Sequence, residues 1–102
     1  MFLRITRNDV KATGTVKRDS PKALILRNND IIYSSSVATE PDGKYRRIQF
    51  KVYKSGGNFK KTPSPDGAWI NFYQGGIRGP HRNVEEYTPN VSEKIKFLQM
   101  QA

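Results

Sequence analysis

The chain has 102 residues, enough for one hydrophobic core but not for two. An apolar fraction of 35%, with 11% aromatic, argues against a disordered chain, and the absence of cysteine excludes disulfides and thiolate-bound zinc. Lysine and arginine number 18 against 9 acids, a net charge of +9 that points to phosphate backbones, anionic lipid or acidic protein surfaces as partners.

No segment approaches the roughly 20 apolar residues needed to cross a bilayer. The longest apolar run is Ala23 to Leu26, and the opening MFLRITRND is polar by its fourth residue, without the apolar stretch of a signal peptide. A cytoplasmic protein is expected.

From the amino terminus, Phe2 to Arg7 alternates Leu3 and Ile5 with Arg4 and Thr6, and Asn8-Asp9 makes a turn or bulge. Alternation resumes from Val10 to Arg18, with Val10, Ala12, Gly14 and Val16 on one side and Lys11, Thr13, Thr15 and Lys17 on the other. Gly14 within that strand signals a bulge or a sharp bend. Asp19-Ser20-Pro21 is a turn, Lys22 to Arg27 a short apolar strand, and Asn28-Asn29-Asp30 a second turn. Ile31 to Val37 reads as a strand fading into a polar loop that Pro41-Asp42-Gly43 closes.

Lys44 to Tyr73 organises the rest: two long antiparallel strands joined by a basic hairpin at 53–67. Arg46, Ile48, Phe50 and Val52 fall on one side of the first strand, and Tyr45, Arg47, Gln49, Lys51 and Tyr53 on the other. In the second, Ala68, Ile70 and Phe72 oppose Trp69, Asn71 and Tyr73. Turns at Ser55–Asn58 and Thr62–Gly67 place Phe59, Lys60 and Lys61 on a projecting arm, and Lys44 to Lys61 holds seven basic residues and no acid. Gln74 to Asn83 is an irregular Gly/Arg loop. Asn83 to Tyr87 suggests a helical turn. Ser92 to Met100 fits a last strand somewhat better than a helix capped by Ser92.

Five or six short strands with frequent turns predict a single mainly β domain over 1–102. The expected architecture is a small curled OB-like barrel, with an SH3-like barrel as the alternative. The succession ATGTVKRDS, DGKYRRIQFKV, a lysine-rich hairpin and AWINFYQGG resembles that of OB-fold single-stranded DNA-binding proteins. In that family a glycine interrupts the first strand, a glycine precedes the strand entering the long hairpin, and a tryptophan begins the strand leaving it. The matching positions are Gly14, Gly43 and Trp69. The chain departs from the family after Trp69, where Gln74 to Asn90 is short for the family's helix and further glycine-containing strand.

The predicted function is non-enzymatic binding of single-stranded nucleic acid, DNA or RNA. Stacking would come from Tyr45, Tyr53, Trp69 and Tyr73, and phosphate contacts from Lys11, Lys17, Arg47, Lys51, Lys60, Lys61, Arg78 and Arg82. No cofactor or metal is expected. Two alternatives stand beside it. One is a small basic module or inhibitor docking an acidic surface of a larger partner enzyme, anchored by Trp69, Tyr73 and Arg47. The other is a metal-independent ribonuclease drawing on Arg78, His81, Arg82, Glu85, Glu86 and Tyr87.

Overall fold

The computed structural model describes residues 1–39, 45–76 and 78–101, with side chains left undescribed at 35–39. The predicted turn Pro41-Asp42-Gly43, including the Gly43 of the family resemblance, lies outside the described residues.

Among the described residues eight antiparallel strands and one helix form, in the order β1 (Phe2–Ile5), β2 (Val10–Thr13), β3 (Lys22–Leu26), β4 (Ile31–Thr39), β5 (Arg46–Ser55), β6 (Asn58–Lys61), β7 (Ala68–Asn71), β8 (Val84–Glu86) and α1 (Val91–Gln101). The mainly β, curled architecture is the one predicted, but with eight strands in place of five or six. Spatially the sheet runs β3-β2-β7-β5-β4-β1-β8, and β6 pairs the far half of β5. Among the described residues no pairing joins β3 to β8, so the sheet is open. A single bridge, Tyr73 to Arg82, and the bond from Asn83 N to Phe72 O (2.9 Å) tie the end of β7 to the segment entering β8.

The inner face carries the larger core. Leu3 and Ile5, Val10 and Ala12, Leu26, Ile32, Ile48 and Phe50, and Ala68 and Ile70 are all buried there. Each set alternates along its strand, as a half-buried pleated surface requires.

Two irregularities break this alternation in the β4–β5 ladder. The register passes from Tyr33↔Val52 to Ser34↔Phe50 and then to Ser36↔Gln49, leaving Lys51 and then Ser35 as extra residues. An extra residue reverses which side chains face which way. Tyr53 therefore turns to the inner core, edge-on to Phe50 at 6.0 Å, while Val52 turns outward. The predicted placement of Val52 with Ile48 and Phe50, and of Tyr53 with Arg47, fails for this reason.

Val52 joins a second, smaller core with Ile31, Phe2, Tyr33, Phe59 and Tyr87, which α1 covers with Phe97 and Met100. The 92–100 segment is thus a helix, not a strand, because Glu93, Phe97 and Met100 repeat at helical spacing and share the covered face. Its cap is Asn90, not Ser92. Asn90 Oδ1 accepts from Glu93 N (2.8 Å) and Glu93 Oε1 accepts from Asn90 N (3.3 Å), a reciprocal capping box. Phe59 does not project on an arm: its ring packs on Phe97 with centres 5.0 Å apart. The expected helical turn at Asn83–Tyr87 is instead β8, paired with β1.

Candidate nucleic-acid interface

The inner face is occupied and α1 covers Phe2, Tyr33, Val52 and Phe59 on the outer face, while elsewhere on that face Lys11, Ile25 and Lys51 are exposed and Gln49 and Trp69 are partly open. Trp69 has Thr13 opposite it on β2 and Gln49 opposite it on β5. Exposed Lys11 and Ile25 face each other one row away. Exposed Lys51 runs beside Gly67, at the turn where Gln49 Nε2 donates to Asp66 O (2.6 Å). That turn is specific to glycine. Gly67 adopts φ +93°, and a Cβ there would stand 2.7 Å from Phe50 O.

Arg47 takes a different role from the one its sequence position suggested. β2 stops at Thr13, and Gly14 to Ser20 leaves the sheet and folds back over the start of β5. Arg47 lies beneath, 1% exposed, donating from Nε to Val16 O (3.0 Å) and from its terminal nitrogens to Asn71 Oδ1, Thr13 Oγ1 and Trp69 O. It ties the loop, β2 and β7 together, and a guanidinium so enclosed has little reach toward an external phosphate. Tyr45 is also buried, with Arg18 over its ring at 4.0 Å. Gly76, at φ +86°, packs so closely that a Cβ would stand 2.7 Å from that ring. Tyr73 is 6% exposed in the inner core. Of the four predicted stacking residues, Trp69 alone keeps a partly open ring on the outer face.

The predicted cations divide into groups. Lys11 and Lys51 flank Trp69, and Lys17 is exposed on the Gly14–Ser20 loop. Lys60 and Lys61 are exposed on β6, where Lys61 lines a cleft with Lys51, Thr62 to Pro65, Met100 and Gln101. Arg78 and Arg82 are exposed in the Gly/Arg loop. Among the described residues two ion pairs form, Arg4–Glu85 at 2.6 Å and Lys54–Glu93 at 2.9 Å. Neither involves a predicted phosphate contact.

Sequence reasoning missed Arg18, Arg46 and Phe72. The guanidinium carbons of Arg46 and Arg82 lie 4.4 and 5.1 Å from the centre of the Phe72 ring, which is itself 8% exposed. The available signal was the pleat: Arg46 shares parity with Ile48 and Phe50 at the end of an apolar row, where a long cation covers an aromatic edge.

The structure brings some of the ribonuclease parts together and separates others. His81, Arg82 and Glu85 line one shallow cleft, but the Glu85 carboxylate is held by Arg4. The Tyr87 hydroxyl is bonded to Glu93 at 2.6 Å, at the base of the helix. That bond, then burial and the Glu93 charge, raise the Tyr87 pKa above its ordinary value. For Glu93, burial acts to raise the pKa, but the bonds from Tyr87, Lys54 and Asn90 N with the Lys54 charge outweigh it and hold the carboxyl below its ordinary value. Among the described residues no group of three or more His, Asp or Glu could hold a metal ion, and no helix is long and apolar enough to cross a membrane.

No protein-family model, curated protein or solved structure matches the chain.

Proposed function

We propose that the chain binds single-stranded nucleic acid, non-enzymatically and with little base specificity, on the outer face of β2, β7 and β5. The observation that carries this reading is Trp69: a partly open indole on a polar sheet surface, set between Thr13 and Gln49, with exposed Lys11 and Lys51 beside it. An unpaired base offers a π-face to such a ring, worth about 1–3 kcal/mol, and lysines neutralise the flanking phosphates. The net charge of +9 supports the same partner. Titration with a short oligothymidylate at several salt concentrations tests it. Trp69 fluorescence should quench, with affinity falling steeply as salt rises. A folded protein whose fluorescence ignores the oligonucleotide at low salt rules the reading out.

A second reading, docking of an acidic protein, is favoured by one observation. The outward side of α1 exposes Val91, Ile95 and Leu98 at helical spacing, alongside exposed Lys94 and Lys96, while its acid, Glu93, is turned inward. An acidic amphipathic segment fits that side. Ile95→Asp would abolish such docking and leave oligonucleotide binding unchanged.

A further inference from the structure

We infer that Arg46 and Arg82, stacked on Phe72, form a phosphate-binding pair, an inference that deepens the single-strand reading and rests on it for the identity of the ligand. Both arginines are exposed, and both lie against one ring, so their guanidiniums are within about 10 Å of each other. That span reaches phosphates one to three steps apart at the roughly 3.4 Å axial rise of one nucleic-acid strand. A guanidinium lying over an aromatic ring keeps its N–H groups available at its edge, and their planar fork matches a phosphate.

Backbone bonds hold both residues in place, and among the described residues neither guanidinium is in an ion pair. Arg46 O accepts from Phe72 N (2.9 Å). Arg82 bridges Tyr73, and its carbonyl accepts from Thr6 Oγ1 (2.8 Å) and Gln74 Nε2 (3.4 Å). Next to it, buried Asn83 donates from its side chain to Asn71 O (2.9 Å) and from its backbone to Phe72 O (2.9 Å). The nearby acid Glu85 is already engaged by Arg4. Phe72 follows Trp69 by three residues, about 10 Å along an extended chain, and points to the opposite side of the sheet, so a strand bound at the indole meets this pair only by passing over the end of β7.

The test compares the wild-type chain with Arg46→Gln/Arg82→Gln, Arg46→Lys/Arg82→Lys and a charge control, Lys94→Gln/Lys96→Gln. With oligothymidylate, loss of two phosphate contacts should flatten the log–log salt dependence by about 1.4 in the Gln variant. The control should keep the wild-type slope, and the Lys variant should bind several-fold more weakly than wild type despite its full charge. In the wild-type protein, the Nε–Hε resonances of Arg46 and Arg82 should shift with inorganic tripolyphosphate before those of Arg7 and Arg27. Those resonances decide the matter if a variant does not fold. An unchanged slope in a folded Gln variant of a protein that does bind oligothymidylate overturns the inference and leaves the Trp69 reading standing. If the wild type ignores oligothymidylate, the single-strand reading fails, and the tripolyphosphate shifts alone keep or remove the pair as a phosphate site. Shifts produced by oligoglutamate but not by tripolyphosphate also overturn it, in favour of carboxylate binding.

Discussion

Arg47 offers the sharpest separation of structural from binding roles, because a cation in the middle of the basic stretch turns out to be 1% exposed. Replacing it by Met keeps most of the stem and removes donors to Val16 O, Asn71 Oδ1, Thr13 Oγ1 and Trp69 O. Hydrogen bonds from a charged donor contribute about 1.5–3 kcal/mol each, and each acceptor left dry costs about 1–3 kcal/mol. Against this, a buried guanidinium carries a desolvation penalty of several kcal/mol that the substitution relieves. The balance, four bonds from a charged donor lost against one desolvation penalty relieved, is a loss of about 3–5 kcal/mol. For a domain of this size that corresponds to a melting point lower by roughly 12 °C or more, out of a total stability of about 5–15 kcal/mol. Urea unfolding followed by circular dichroism measures it. Arg47→Lys should also destabilise, since an ammonium cannot span acceptors on the loop, β2 and β7 at once. If Arg47→Met unfolds within about 1 kcal/mol of wild type while oligonucleotide affinity collapses, the residue is a phosphate ligand and the reasoning is wrong.

Two further outcomes follow from local geometry. Gly76→Ala should destabilise more than Gly75→Ala: both residues have positive φ, but a Cβ at Gly76 meets the Tyr45 ring at 2.7 Å while one at Gly75 meets nothing within 4 Å. About 1 kcal/mol for Gly75 and 2–3 kcal/mol for Gly76 are expected in thermal melts. Glu93 has a folded-state pKa below its ordinary value, so it binds its proton more readily in the unfolded chain. Its contribution is therefore present above the unfolded pKa of about 4.3 and lost as pH falls through the lower folded value. Glu93→Gln should flatten the acid limb of the stability curve and lower stability near neutrality. An unchanged acid limb would place the sensitivity elsewhere.

Much of the fold was legible from alternation. The sides of β7, of β1 and of β5 as far as Phe50 match the pleat read from their residues. The Asn28–Asp30 turn forms with Asn29 at φ 76° and the Asp30 carboxylate accepting from Arg27 N (2.9 Å). What escaped was decided by partners distant in the chain. Arg47 and Tyr45 do belong to the outer side, but their burial depends on Gly14–Ser20 and Gly76 folding over them, which no local pattern encodes. Tyr73 lies two residues beyond Asn71, the last residue of β7, where strand parity no longer governs, and it enters the core. The helix was obscured because Lys94 to Met100 alternates at period two as well as repeating near 3.6, and seven residues cannot separate these periods. Asn90-Val91-Ser92-Glu93 was the missed signal, a capping box that starts two residues before the cap first read at Ser92.

The candidate interface itself depends on one of those non-local features. Without the extra residue at Lys51, β5 would keep Gln49, Lys51 and Tyr53 on the outer side throughout, and Val52 would join Ile48 and Phe50 in the inner core. Helix α1 would then lose Val52 from the apolar surface that it covers with Phe97. With it, the outer side changes character partway along the strand. Beyond Lys51 it presents Val52, opposite Tyr33, and Phe97 closes over that apolar half. Before Lys51 it presents Gln49, opposite Trp69, and the helix leaves this half uncovered. The extra residue also takes Tyr53 out of the proposed binding surface and into the inner core, so that β5 places no tyrosine beside the Trp69 indole of β7. The bulge that turns Val52 toward the helix therefore divides one sheet face into a half under α1 and a half, around Trp69 and Gln49, outside it.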